Sequence, residues 1–296
     1  MKEKQSTAHL EMIIAMLIFG TVGIFRRCIP LSSALLACSR GVLGAGFLAG
    51  FVKLKKQKLF HGIGGKNTAF LVLTGAVIGA NWMLLFEAYR CTSVATATLC
   101  YYMQPTIVLL VSPLLFRERL TLKKMLCALA ALGGMVMVSG VADSKKPTGD
   151  DISGILFGLG AAALYALAVI LNKKISVDDA YGKTVIQLLS ASAVLLPYLL
   201  LTDGFTAVSL SPFSVLLLVL VGVVHTGIAY ALYFAGMKKL QAQSVAMLSY
   251  IDPVSALILS ALILHERLTL FGLLGAVLII GSAFVSELNF KQKKIG

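Results

Sequence analysis

Ten runs of mostly apolar residues, each about twenty long, occupy nearly the whole of this 296-residue chain. They fall near 10–25, 31–52, 68–89, 94–116, 122–141, 152–172, 184–202, 213–235, 243–264 and 270–288. A segment of that length with few charges is the signature of a helix that crosses a bilayer, because in hydrocarbon every backbone N–H and C=O must find its partner within the segment. The alternation of apolar and polar residues that a membrane β-barrel requires is absent. Composition agrees, with 58% of residues hydrophobic and 13% charged, outside the usage of ordinary soluble domains. The expected fold is an all-α membrane protein of ten transmembrane helices.

The formal charge of +13 would suit a nucleic-acid partner if the cations formed a patch, but they are sorted by side. Nineteen of the 26 Lys and Arg fall on one side when alternate connections are assigned to the cytoplasm: Lys2 and Lys4; Lys53, Lys55, Lys56, Lys58 and Lys66; Arg117, Arg119, Lys123 and Lys124; Lys173, Lys174 and Lys183; Lys238 and Lys239; Lys291, Lys293 and Lys294. The opposite loops hold Arg26, Arg27, Arg90, Lys145, Lys146 and Arg267, and Arg40 lies inside a run. Positive charge concentrates in cytoplasmic loops, so both termini are expected inside a cytoplasmic membrane, with the excess facing anionic headgroups and no nucleic acid involved.

The first run, after Lys2 and Lys4, is short enough to resemble a secretory signal, but no small-x-small cleavage site follows and it is read as a span. Cys28, Cys38, Cys91, Cys100 and Cys127 are odd in number and show no CxxC spacing, so they are read as packing thiols with neither a disulfide framework nor a metal site.

Shifted by 148 residues, the chain matches itself. Glu118-Arg-Leu-Thr-Leu122 falls on Glu266-Arg-Leu-Thr-Leu270, and the same shift places Tyr102 on Tyr250, Pro105 on Pro253, Leu84 on Leu232, Phe86 on Phe234 and Gly133 on Gly281. Such a period marks duplication of one unit. The units are read as 1–142 and 152–290, joined by a polar linker at 143–151. Five spans per unit is an odd number, so the second copy must enter the membrane from the opposite side. Inverted repeats are a hallmark of secondary transporters, in which two similar halves exchange conformations around a central site.

The paired fourth and ninth spans, Ala95-Thr-Ala-Thr-Leu-Cys-Tyr-Tyr-Met-Gln-Pro105 through Phe116-Arg-Glu-Arg-Leu-Thr121 and Ser244-Val-Ala-Met-Leu-Ser-Tyr-Ile-Asp-Pro253 through His265-Glu-Arg-Leu-Thr269, resemble the EamA-type members of the drug/metabolite transporter superfamily over essentially the whole chain. The resemblance implies two five-helix EamA domains, a cavity between the halves and an inner-membrane carrier, commonly an exporter of metabolites, amino acids or drugs. It implies no particular substrate.

Candidate site residues are those whose cost in lipid demands a reason. Asp252, just before Pro253, lies near the middle of its span and would take up a proton or a cationic substrate; Gln104 is its counterpart before Pro105. The two interior prolines are expected to kink their helices and shape a gate. Arg40 and His225 are further polar groups at depth, His225 being either a packing residue or a proton relay. Glu87 stands three residues before Arg90, the spacing of an ion pair on one helix face, or of an outer vestibule for cations. Tyr102, Tyr250, Trp82, Tyr230, Tyr233 and Tyr165 could line a substrate cavity, since aromatic faces attract organic cations.

An HExxH, GxSxG or P-loop motif is absent, as is a pair of aspartates at mid-membrane, so enzymatic chemistry and cofactors are not expected. The function expected is alternating-access transport of a small organic solute, with export the direction that the resemblance implies. Import of a small organic cation, a channel and a lipid scramblase are the competing classes. Lipid and the solute are the expected partners, and the chain is a monomer or a homodimer.

Overall fold

The computed structural model describes residues 2–92, 94–139, 149–177, 179–202, 210–263 and 270–287. Every regular element among them is a helix: α1 (Lys2–Arg27), α2 (Ser33–Leu54), α3 (Gly65–Cys91), α4 (Val94–Tyr101), α5 (Gln104–Phe116), α6 (Leu122–Ser139), α7 (Gly149–Lys174), α8 (Ala180–Thr202), α9 (Pro212–Leu220), a π-helical segment (Val221–Ile228), α10 (Ala229–Lys239), α11 (Ala242–Leu248), α12 (Ile251–Ile263) and α13 (Leu270–Glu287). Among the described residues seven stretches are long and apolar enough to cross a membrane: Ser33–Leu54, Gly65–Cys91, Thr96–Phe116, Ile152–Lys174, Ala180–Thr202, Pro212–Lys239 and Ala242–Ile263. Ser6–Val22 and Leu270–Ser286 are shorter apolar helices. Most of the second ERLTL copy, the linker at 143–148 and the basic tail after 287 lie outside the described residues.

Local chemistry sets the helix ends. Ser32 Oγ accepts from Leu35 N at 3.2 Å ahead of α2, and Ser211 Oγ from Ser214 N at 3.1 Å ahead of α9, so each hydroxyl satisfies an amide that the first turn leaves bare. Helix α11 follows Gln241 at its N-cap, whose own side chain does not cap it. The Glu118 carboxylate does so from the other half of the chain, accepting from Ala242 N at 2.8 Å and Gln243 N at 3.2 Å. The first ERLTL motif is therefore a tie between the halves as well as a stop at the end of a span.

Two of the long spans are broken. The α4/α5 span stops at Tyr101 and restarts at Gln104; the α11/α12 span stops at Leu248 and restarts at Ile251. At both breaks the backbone tightens to i−3 bonds, Met103 N to Cys100 O and Tyr250 N to Met247 O. The sequence pattern suggests kinks at Pro105 and Pro253, and the structure has interruptions. Each proline lies in the first turn of the second piece, where a missing N–H costs nothing.

Helices meet closely where glycine allows. A Cβ on Gly134 of α6 would stand 2.7 Å from Gly275 O of α13, and one on Gly275 would stand 2.6 Å from Gly134 O. Small residues that let backbones touch are the usual glue between helices in lipid. Helix α2 packs on α8 and the π segment, α3 on α7 and α8, α1 on α10 and α12, α5 on α11 and α7, and α4 on α7. Side chains such as Leu54, Leu114 and Leu201 project outward from the bundle, as a hydrocarbon solvent permits.

Candidate functional site

The two breaks face each other, and the residue at each break reaches across. Tyr102 donates its hydroxyl proton to Asp252 Oδ2 at 2.9 Å, and the Tyr250 hydroxyl lies 3.0 Å from Thr106 Oγ1. These are crossed contacts, because Tyr102 and Tyr250 are repeat counterparts, as are Gln104 and Asp252. Asp252 sits half-buried in the first turn of α12, and Gln104, buried, opens α5. The positive end of a helix dipole suits a carboxylate there. Tyr102 and Tyr250 are both buried, and Tyr250 has no exposed surface.

From this clasp a chain of rings leads across the bundle. Tyr101, beside Tyr102, stands 5.8 Å from Tyr165, both distances between ring centroids being within edge-to-face range: Tyr101–Tyr102 is 5.7 Å. Tyr230 meets Phe19 at 5.0 Å, Phe234 at 5.6 Å, Trp82 at 6.3 Å and Tyr233 at 6.5 Å. The Arg40 guanidinium lies over Trp82, Cζ 4.9 Å from the ring centre, a cation–π geometry. Arg40 Nε is buried without a hydrogen-bond partner among the described residues.

Tyr165, Tyr230 and Tyr233 share one cavity with Ile78, Ala168, Val169, Asn172, Phe234 and Met237. Its volume is about 10 Å³, roughly enough for one water molecule, so the rings close on one another in this conformation. Of the residues the sequence singles out, Tyr165, Tyr230, Tyr233, Trp82 and Arg40 gather around this interior, and Tyr102, Tyr250 and Asp252 form the adjoining clasp.

Two others stand apart. His225, buried within the π segment, has Nε2 2.6 Å from Thr21 Oγ1 and its ring against Phe25 at 4.8 Å, while Nδ1 has no partner among the described residues. The π segment is pressed against Gly44 of α2, where a Cβ would stand 2.8 Å from Gly222 O. π turns within spans are frequent at functional sites, although nothing in the local composition announces this one. Glu87 pairs with Arg90 at 3.0 Å and accepts the Tyr198 hydroxyl at 2.5 Å, which fastens α3 to α8 at the helix end. Asn81, on the same helix, donates to Ala161 O at 2.6 Å, and its Oδ1 is buried with no partner among the described residues.

Sequence reasoning passed over Tyr101, Phe19, Thr106 and Lys183. The Tyr101-Tyr102 doublet before a proline was a usable signal. Lys183 was not, because a lysine immediately ahead of the apolar run at 184–202 reads as a loop residue, whereas α8 begins at Ala180 and buries it.

The EamA-like transporter family model matches residues 6–140 and 152–288, once for each half. An uncharacterized transporter of Bacillus subtilis (strain 168), YxxF, is 30% identical over 279 residues, covering 94% of this chain and 88% of that protein. A probable amino-acid metabolite efflux pump of Salmonella typhimurium is 28% identical over 209 residues, covering 67% of this chain and 69% of that protein. A chain solved by crystallography superposes with a TM-score of 0.84 at 20% identity, over 95% of this chain and 96% of that one; this likeness concerns the fold alone. A family match to both halves, over helices of membrane-spanning length, places the chain in the EamA-like transporter family of the drug/metabolite transporter superfamily.

Proposed function

We propose that the protein is a ten-span secondary carrier that moves a small organic solute out of the cell across the cytoplasmic membrane by alternating access of two inverted five-helix halves. The crossed tyrosine contacts at the two helix breaks carry this reading. They join the halves through a few hydrogen bonds at the very point where each span is interrupted, and such a junction can separate and re-form without unfolding either half.

Helix pairing across the halves supports it. Under the 148-residue repeat α2 packs on its counterpart α8 and α6 on its counterpart α13, the α5 piece packs on α11, the counterpart of α4, and the packing of α3 on α7 is mirrored by α1 on α10. The one-sided distribution of Lys and Arg supports cytoplasmic termini. Outward movement is supported by the efflux pump among the relatives. Asp252, Gln104, Tyr102, Tyr250, Trp82, Tyr230, Tyr233 and Tyr165 are the proposed substrate contacts. Pro105 and Pro253 set the breaks that gate them, and Asp252 is the group that would exchange a proton or a cationic solute.

The test is a thermal-shift screen of the purified protein against amino acids, amines, sugars and nucleosides, followed by liposome flux of each stabilising compound. Saturable flux of at least one hit is expected. Flux that rises linearly with concentration for every hit would favour a channel over a carrier.

A further inference from the structure

Among the described residues Lys183 is the one lysine or arginine that is buried. It lies one turn inside α8 with only 3% of its surface exposed. Among the described residues it makes one hydrogen bond, a long one of 3.4 Å to Asn172 O, and its ammonium lies 5.4 Å from the centre of the Phe234 ring. No carboxylate pairs with it among the described residues. Asp179, four residues earlier, is committed to Phe60 N and Gly182 N, each at 2.8 Å. Lys173 and Lys238 lie within electrostatic reach and add positive charge, but both are engaged with backbone. Lys173 donates to the carbonyls of Met237 and Leu240, and Lys238 to Val177 O at 3.2 Å.

A buried ammonium with two N–H groups unspent is costly unless an anion comes to it. Beside it, Gln187 has no exposed surface; its Nε2 donates to Asn172 Oδ1 at 2.9 Å, and its Oε1 is buried with no donor among the described residues. An unspent donor and an unspent acceptor thus lie one helical turn apart on α8. Both adjoin the aromatic cavity, because Asn172 and Phe234 line it.

We propose that Lys183 and Gln187 form an anion subsite at this end of the cavity, which takes a carboxylate bearing a neighbouring hydrogen-bond donor, with the apolar body of the molecule among Tyr165, Tyr230 and Phe234. The inference rests on the carrier reading and names the chemistry of the solute. Lys183 binds the carboxylate, and Gln187 Oε1 accepts from the adjacent hydroxyl or ammonium. The lysine-rich connections place this end on the side assigned to the cytoplasm, where an exported solute enters.

The test uses three probes of one shape on the full-length protein in detergent: 3-phenyllactate, its amide, and 3-phenylpropionate, which lacks the hydroxyl. Phenyllactate is expected to bind roughly tenfold or more tightly than its amide, the range for a hydrogen bond to a charged group, and more tightly than phenylpropionate. K183Q should remove the preference for carboxylate over amide, and Q187L the preference for phenyllactate over phenylpropionate. The comparison of probes on the parent protein needs no variant, so a misfolded K183Q leaves it intact. Equal binding of acid and amide, or no binding of either, overturns the proposal. So does a K183Q protein that is merely less stable while keeping the carboxylate preference, the result expected if Lys183 only caps the end of α7. Saturable liposome flux of some other solute would leave the carrier reading standing in each of those cases.

Discussion

Asp252 and Tyr102 make the contact on which a proton or solute would act. A carboxylate inside an apolar run can persist only with a partner, and the Tyr102 hydroxyl at 2.9 Å is that partner here. Asp252→Asn keeps the shape and removes the charge. We expect proton-driven uptake to be lost and solute exchange to persist in that variant; unchanged pH-driven flux would remove Asp252 from any coupling role. Tyr102→Phe deletes one hydrogen bond and should lower stability by only about 0.5 to 1.5 kcal/mol, as read by thermal unfolding, while changing transport more than stability. The sequence made Asp252 visible, because a charge in an apolar run stands out. It could not show that Tyr102 crosses to Asp252 while Tyr250 crosses to Thr106, since packing between distant helices decides which hydroxyl reaches which acceptor.

Helices were legible from the same runs of about twenty apolar residues, and their interruptions were half legible. Proline marked the right places in both spans, but the tight i−3 turns at Met103 and Tyr250 replaced the expected kinks, since a first-turn proline fits a new helix better than an old one. The π segment had no local signature at all. Two substitutions probe this scale. Glu118→Ala should uncap α11 and cost about 1 kcal/mol, seen as a lower unfolding temperature with no change in which solutes bind. Gly134→Leu should cost more, about 1 to 3 kcal/mol for overpacking, because its Cβ would meet the Gly275 carbonyl at 2.7 Å.

On the scale of the whole molecule, duplication and charge together predict an orientation. In the proposed topology Lys56 and Lys239 belong to connections on the same side, so cysteines introduced at either position in a cysteine-free background should react with an impermeant reagent from the cytoplasmic face only. Opposite accessibility would undo the inverted arrangement. Transport itself is most directly tested by counterflow. Liposomes preloaded with an unlabelled hit from the binding screen should transiently accumulate its labelled form above the external concentration, because a carrier with one alternating site exchanges solute faster than it leaks. Labelled solute that only equilibrates, at a rate indifferent to the preload, would contradict alternating access and point to a pore.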